Sequence, residues 1–245
     1  MQVPEAEPIR SAESCELNPF DRPALEVALR MREKSGGIVT AISMGPESSA
    51  SSLYEAMAMG VDRGVLVCDP ALAGSDTLAT STVLATAIKR LTPFDLILFG
   101  TRSADSDTGQ VGPQTAVLLD LPFVGAAISF ERRDTCLYVE HRTDGFREKI
   151  QLTLPGALTI HPGSLQPRDV GLLGIEAACE EGNLEKWSLE DLGLSEHHVG
   201  LAGSPTRVLA LSRVERVREC EFMSGSAEEQ ADELVRRLVE SGFAG

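Results

Sequence analysis

The chain is poor in the residues that build metal and disulfide frameworks. Its five cysteines (Cys15, Cys68, Cys136, Cys179 and Cys220) include no CxxC pair. That excludes a zinc-ribbon or disulfide scaffold and fits a reducing, cytoplasmic setting. There are four histidines, none at metal-ligand spacing from another, and His197-His198 lies in a polar stretch that reads as surface. Basic side chains are outnumbered, 22 Lys+Arg against 37 Asp+Glu, for a net charge of -15. Non-specific binding to nucleic acid or an anionic membrane is therefore not expected. No run of about twenty apolar residues is present, so no membrane span is expected, and the amino terminus lacks the apolar core of a signal peptide. No G-x-S-x-G element occurs and no Ser-His-Asp arrangement is recognisable, which weighs against a stand-alone hydrolase.

What the chain does have is a 42% hydrophobic composition over 245 residues, enough for one large domain or one domain with an appendage. Residues 18–120 alternate helical and strand patterns at short intervals. Ala24, Leu25, Ala28, Leu29 and Met31 form one apolar helix face, with Asp21 as N-cap, Pro23 in the first turn and Gly36-Gly37 as the stop. Ile38–Ser43 reads as a buried strand with Met44-Gly-Pro46 as its exit. A helix from Ser48 to Met59, a strand Gly64–Cys68 and a helix from Gly74 to about Leu91, capped by Ser75 or Asp76, follow. The pattern is that of an α/β protein with a doubly wound, mostly parallel sheet. After Phe123 come short β segments (Ala127–Phe130, Cys136–Glu140, Lys149–Leu154, Ala157–Ile160) with hairpin turns at Arg132-Arg133-Asp134 and Thr143-Asp144-Gly145. This predicts an antiparallel excursion that rejoins the main sheet. Gly163–Lys186 reads as irregular with a helical piece near Gly174–Cys179, and Trp187–Gly193 as the start of a polar connector. Ser204–Leu211 reads as a strand. Glu228–Glu240 reads as an amphipathic helix with Leu234, Val235, Leu238 and Val239 on its apolar face.

The stretch Asp95–Ala116 (DLILFGTRSADSDTGQVGPQTA) organises this half. Asp95–Phe99 is a buried-type strand that ends at Gly100. Ser103, Asp105, Ser106 and Asp107 offer capping oxygens, Gly109 permits close backbone approach, and Gln114–Leu119 continues as helix. A loop at the carboxyl end of a parallel strand, opening into a helix, is where α/β proteins bind nucleotide phosphates. The exits at Met44, Ser75 and Asp105 would share one crevice. The plainer reading of the same loop is a capped strand–loop–helix turn with no ligand. Asp105, Asp107 and Asp120 are the right type for a divalent cation, but Asp-rich turns are more often caps. Cys68, at a strand end, reads as a buried inert thiol.

Four ordered stretches carry a family resemblance: Asn18-Pro-Phe-Asp21 before a Leu-rich helix; Met44-Gly-Pro with Ala58-Met-Gly-Val-Asp-Arg63; Asp105-Ser-Asp-Thr-Gly-Gln-Val-Gly-Pro113; and Gly203-Ser-Pro-Thr-Arg207. Together they resemble the small (beta) subunit of electron-transfer flavoproteins. The resemblance implies an adenine-nucleotide alpha-hydrolase-like fold and a heterodimer with a larger FAD-carrying alpha subunit. It implies an electron-carrier role between a dehydrogenase and an acceptor rather than stand-alone catalysis. It also implies a nucleotide in the crevice, AMP in most members and FAD in a bifurcating branch, which Gly74–Thr80 and Thr108–Pro113 resemble more closely. The implied cofactor contacts are Asn18, Pro19, Phe20, Met44, Asp76, Thr77, Thr80, Asp105, Thr108, Gly109, Gln110, Val111, Gly112, Pro113 and Gln114. Leu172 stands where the family carries an exposed leucine that anchors in a partner dehydrogenase. Residues 1–193 are expected to form the nucleotide-binding domain and 194–245 an arm and helix packing on the partner subunit. The chain departs from the pattern in four places. It opens at Met1-Gln-Val-Pro-Glu5 without the family's first apolar strand, so either the start lies upstream or this is a degraded paralogue. The family's lysine-rich run is the acidic Ala177–Asn183 here. Ser106 replaces the loop glycine, and the loop arginine falls at Arg102.

Overall fold

The apolar five-residue runs of the first half form parallel strands, but in two sheets where the pattern predicted one. The computed structural model describes residues 15–178, 183–209 and 220–243. The opening at Met1–Glu5, most of the acidic run (179–182) and residues 210–211 of the expected strand lie outside the described residues. The first sheet has the order β1 (Thr40–Met44), β2 (Arg63–Val67), β8 (Leu184–Trp187), all parallel, with Ala41 opposite Gly64 and Val65 opposite Glu185. The second has the order β3 (Leu96–Gly100), β7 (Gly156–Ile160), β4 (Phe123–Arg133), β5 (Cys136–Thr143), β6 (Phe146–Thr153). Its first three strands are parallel and its last two antiparallel. The antiparallel excursion therefore does rejoin the parallel strands, because β7 inserts between β3 and β4.

β8 is a correction to the irregular reading of 163–186. Four residues with large apolar side chains only at the two ends, Leu184 and Trp187, give no alternation to read, yet Trp187 is buried and completes the sheet beside β2. The polar connector after it holds a short helix, α6 (Leu189–Leu192), closed by a Ser188–Asp191 capping box. The described part of the predicted strand at 204–211 is not a strand; its polar groups turn back onto a helix terminus, as described below.

Helices cover the sheets: α1 (Arg22–Ser35), α2 (Ala50–Ala58), α3 (Thr77–Arg90), α4 (Val111–Leu118), α5 (Leu172–Ala178) and α7 (Gly200–Gly203). The helix α1 joins the two halves. Its Val27 packs in a core with Val124, Leu158 and Ile160 of the second sheet, while its Leu29 packs with Met57 and Ala58 of α2. Full burial of such side chains is worth about 1.5–3 kcal/mol each, so this one helix fixes both sheets. Leu209 and residues 220–243 belong to a second compact unit. Within it, α8 (Ala227–Glu240) is closed by a Ser226–Glu229 capping box and keeps Leu234, Val235, Leu238 and Val239 exposed.

Candidate functional site

The loop leaving β3 is held from below by the turn that precedes α1. Asp21 was expected to cap α1, but no side-chain cap is made there. Its Oδ1 instead accepts the Gly100 N–H at 2.8 Å. Asn18 Nδ2 donates to Asp21 Oδ2 at 3.0 Å and to the Arg102 carbonyl at 2.9 Å, while Asn18 Oδ1 accepts from Ala104 N at 3.2 Å. The Arg102 guanidinium lies over the Phe20 ring, 4.5 Å from its centroid, and pairs with Asp107. A Cβ on Gly100 would collide with Phe20 and Asp21, so the strand end and this turn are in direct backbone approach. Burial pushes the Asp21 carboxyl above its ordinary range, opposed by the hydrogen bonds from Asn18 and Gly100. Asn18, Pro19 and Phe20 thus form the floor of the loop.

Above this floor, Asp105, Ser106, Asp107, Thr108 and Gln110 are exposed. The expected capping of α4 by Asp105 or Asp107 does not occur: no side chain caps this helix. Asp105 Oδ1 takes the N–H of Ser106, and Asp107 adopts a left-handed turn conformation (φ 54). Asp120 is likewise a turn residue, at φ 56 past the end of α4. Among the described residues no group of three or more His, Cys, Asp or Glu could hold a metal ion. Gly109 (φ 63) turns the loop into the helix. Gly112 presses α4 onto the strands, since a Cβ there would stand 3.1 Å from Thr159 Cγ2 and 3.3 Å from the Phe99 ring. Pro113, in the first turn, has no N–H to satisfy. The amino end of α4 thus carries partial positive charge, and among the described residues no side chain caps it.

The neighbouring helix α3 is built the opposite way. Asp76 accepts from Leu78 N and Ala79 N, both at 3.0 Å, which is a complete N-cap. Its other oxygen accepts from Thr206 N at 3.0 Å and Thr206 Oγ1 at 2.8 Å, and Ser204 Oγ accepts the Asp76 N–H. Burial raises the Asp76 carboxyl, but the hydrogen bonds from Ala79, Thr206 and Leu78 outweigh it and hold it below its ordinary value. The two helix starts are tied together: Thr77 Oγ1 bonds Gln110 Oε1 at 3.0 Å, and Ser81 Oγ bonds Gln114 Oε1 at 3.1 Å. The β2 and β3 exits are thereby adjacent. Each glutamine keeps its side-chain NH₂ as a donor. Thr80 is half-buried in the first turn of α3, and Met44, at the end of β1, packs into the β2 core.

Beside the loop lies an open cleft of about 360 Å³, lined by Thr101, Gly109 and Pro113 on one side and by Gly125, His141 and Arg142 on the other. His141 Nε2 and Glu148 Oε2 are 3.0 Å apart. His141 and Arg142 were not legible as site residues, because only the β4–β5 pairing carries them to the loop. Ser204 and Thr206 fell within a recognised stretch, but nothing local pointed them at Asp76. Leu172 lies on α5, which packs against α2, and is 87% exposed.

The model of the electron transfer flavoprotein domain matches residues 9–192. Among curated proteins, the chain is 39% identical over 222 residues to the electron transfer flavoprotein subunit beta of Thermoanaerobacterium thermosaccharolyticum, covering 91% of this chain and 85% of that one. It is 37% identical over 227 residues to the protein FixA of Bradyrhizobium diazoefficiens, covering 89% and 78%. It is 36% identical over 226 residues to the caffeyl-CoA reductase-Etf complex subunit CarD of Acetobacterium woodii, covering 91% and 86%.

Proposed function

The chain belongs to the electron transfer flavoprotein family, and from that premise we propose that it works as the beta-type subunit of a flavin-containing heterodimer that carries electrons between a dehydrogenase and an acceptor. In this reading it is a carrier subunit and not a catalyst by itself. We propose an adenine-nucleotide alpha-hydrolase-like fold for residues 1–193, an arm and helix in 194–245 that pack on the alpha subunit, Leu172 as a dehydrogenase contact, and a cytoplasmic setting. No helix among the described residues is long and apolar enough to cross a membrane.

The observation that carries the nucleotide assignment is the contrast between the two helix starts. α3 is neutralised by Asp76, whereas α4 has no side-chain cap and stands behind Gly109 and the exposed Thr108 and Gln110. A diphosphate fits the second and not the first. Thr108, Gly109, Gln110, Val111 and Gly112 would hold the phosphates through main-chain N–H groups and the Gln110 amide. Pro113 shapes the turn and Gln114 braces it through Ser81. Thr77 holds Gln110, while Asp76 and Thr80 support α3 and do not reach for phosphate. Asn18, Pro19 and Phe20 set the loop from below. The adjoining cleft, with Arg142 and His141 on its wall, has room for part of a ligand longer than AMP. That favours FAD in this chain, with AMP as the smaller occupant of the same loop. When bound, a flavin accepts and releases electrons singly or in pairs; the chain's residues position it and shield it.

The test is co-expression with an alpha-type large subunit, followed by the absorbance spectrum and analysis of released nucleotide. Two FAD per heterodimer are expected. One FAD with AMP would assign AMP to this crevice. A heterodimer without flavin, or no heterodimer, would refute the carrier role and leave a nucleotide-binding scaffold.

A further inference from the structure

The hairpin β5–β6 carries its inner face past the core and into the cleft. Along β5, Leu137 and Val139 are fully buried, and their partners on β6, Leu152 and Ile150, pack in the same core. Cross-strand partners share a face, and a face is revisited every second residue. The same face therefore continues through His141 opposite Glu148 to Thr143 opposite Phe146. His141 and Thr143 line the cleft beside the loop after β3. Phe146, directly across from Thr143, stands on the cleft side of the hairpin at its outer rim. The turn fixes it there. Asp144 (φ 42) and Gly145 (φ 84) are both left-handed, as a two-residue hairpin turn requires, and such a turn sets the register of the strands it joins.

Phe146 is 69% exposed, so its ring adds little to the stability of the hairpin. A single exposed apolar side chain is ordinary. This one differs in its place: it follows the polar His141–Glu148 pair, beyond the end of the core, on the face that meets the cleft. We infer that Phe146 is the platform on which the flavin ring of a dinucleotide held in the crevice stacks. The ligand's own chemistry argues for that half. AMP and FAD share the adenosine and one phosphate, so the part of FAD that fills the adjoining cleft is the flavin half. Gly109 and Pro113, in the turn assigned to the diphosphate, line the same cleft as Thr143. A planar ring leaving that turn along the cleft meets the hairpin end, and an aromatic side chain stacks on a planar ring with a gain beyond simple area burial. This inference rests on the carrier reading with FAD in the crevice, and deepens it by giving the flavin a residue of its own.

The experiment uses the intact heterodimer, depleted of crevice nucleotide by dialysis against bromide, with FAD and AMP as probes and dissociation constants read by titration. Phe146→Ala is expected to weaken FAD about tenfold and to leave AMP within about twofold, because only the flavin half reaches the hairpin end. Phe146→Trp should restore FAD affinity, and the emission its indole adds should be quenched by FAD and not by AMP. Tyr138→Ala removes an aromatic ring from the opposite face of the same hairpin and should leave both constants within about twofold. Four outcomes would overturn the inference: FAD binding indifferent to Phe146→Ala, an equal loss for FAD and AMP, indole emission unmoved by FAD, or dissociation of the Phe146→Ala heterodimer. The two readings fail separately. A wild-type heterodimer that carries one FAD and rebinds only AMP refutes the platform and leaves the carrier role in place. A wild-type heterodimer without any flavin refutes the carrier role itself.

Discussion

Asp21 Oδ1 accepts the main-chain N–H of Gly100 at 2.8 Å across 79 residues of sequence. This bond ties the start of α1 to the end of β3, where the Thr101–Gln110 loop begins. Replacing Asp21 with alanine leaves that N–H without its acceptor and takes from Asn18 Nδ2 one of its two, the Arg102 carbonyl remaining, at a cost of about 1–3 kcal/mol. Urea denaturation should show the loss, and hydrogen exchange should quicken at Gly100 and Ala104 before it does in β7. The raised carboxyl also sets a sign. The folded state holds this proton more tightly than the unfolded chain, so its contribution falls as pH rises from the ordinary 3.8 through the folded value. That slope should vanish in Asp21→Ala.

Glu26 titrates in the opposite sense. Burial raises its carboxyl, but hydrogen bonds from Arg168 and Arg30 prevail and bring it to about 2, from an ordinary 4.5. The stability it contributes is complete above 4.5 and is lost as pH falls toward about 2. Glu26→Gln should cost about 3 kcal/mol at neutral pH, by the size of that shift. The cost should shrink steadily across the acid window, as measured by urea unfolding at stepped pH.

Asp76 closes α3 and holds Thr206. Asp76→Ala should remove about 1–2 kcal/mol for the cap alone. Thr206→Val, which keeps the main-chain bond, should remove only about 0.5–1.5 kcal/mol. Thermal melts rank the two. Hydrogen exchange should quicken at residues 204–208 in both, while α4 exchanges as before.

Gly112 tests the placement of α4. A valine there must push against Thr159 and Phe99. Overpacking of this kind costs about 1–3 kcal/mol and moves the helix start away from β3. Nucleotide released per heterodimer should fall from two equivalents toward one. An unchanged nucleotide content in a folded Gly112→Val protein would remove the phosphates from α4.

Much of this was legible in the chain itself. The helix stop at Gly36, the Asp76 cap, the hairpin turn at Asp144-Gly145 and the apolar run of β3 are short-range signals, because capping, turn conformations and periodicity depend on residues a few places apart. The ordered motifs reached further and named the family. What the sequence could not decide was partnership at long range. Asp21 could cap α1 or serve Gly100, and the choice fell to Gly100 because β3 ends against that turn. Leu184–Trp187 had no pattern of its own and became a strand only because β2 offered an edge. His141 and Arg142 came to the loop after β3 through β4–β5 pairing, and Thr206 came to Asp76 by return of the chain across 130 residues. A hydrogen-bonding group takes whichever partner the fold brings within 3 Å, and only the assembled tertiary structure determines which partner that is.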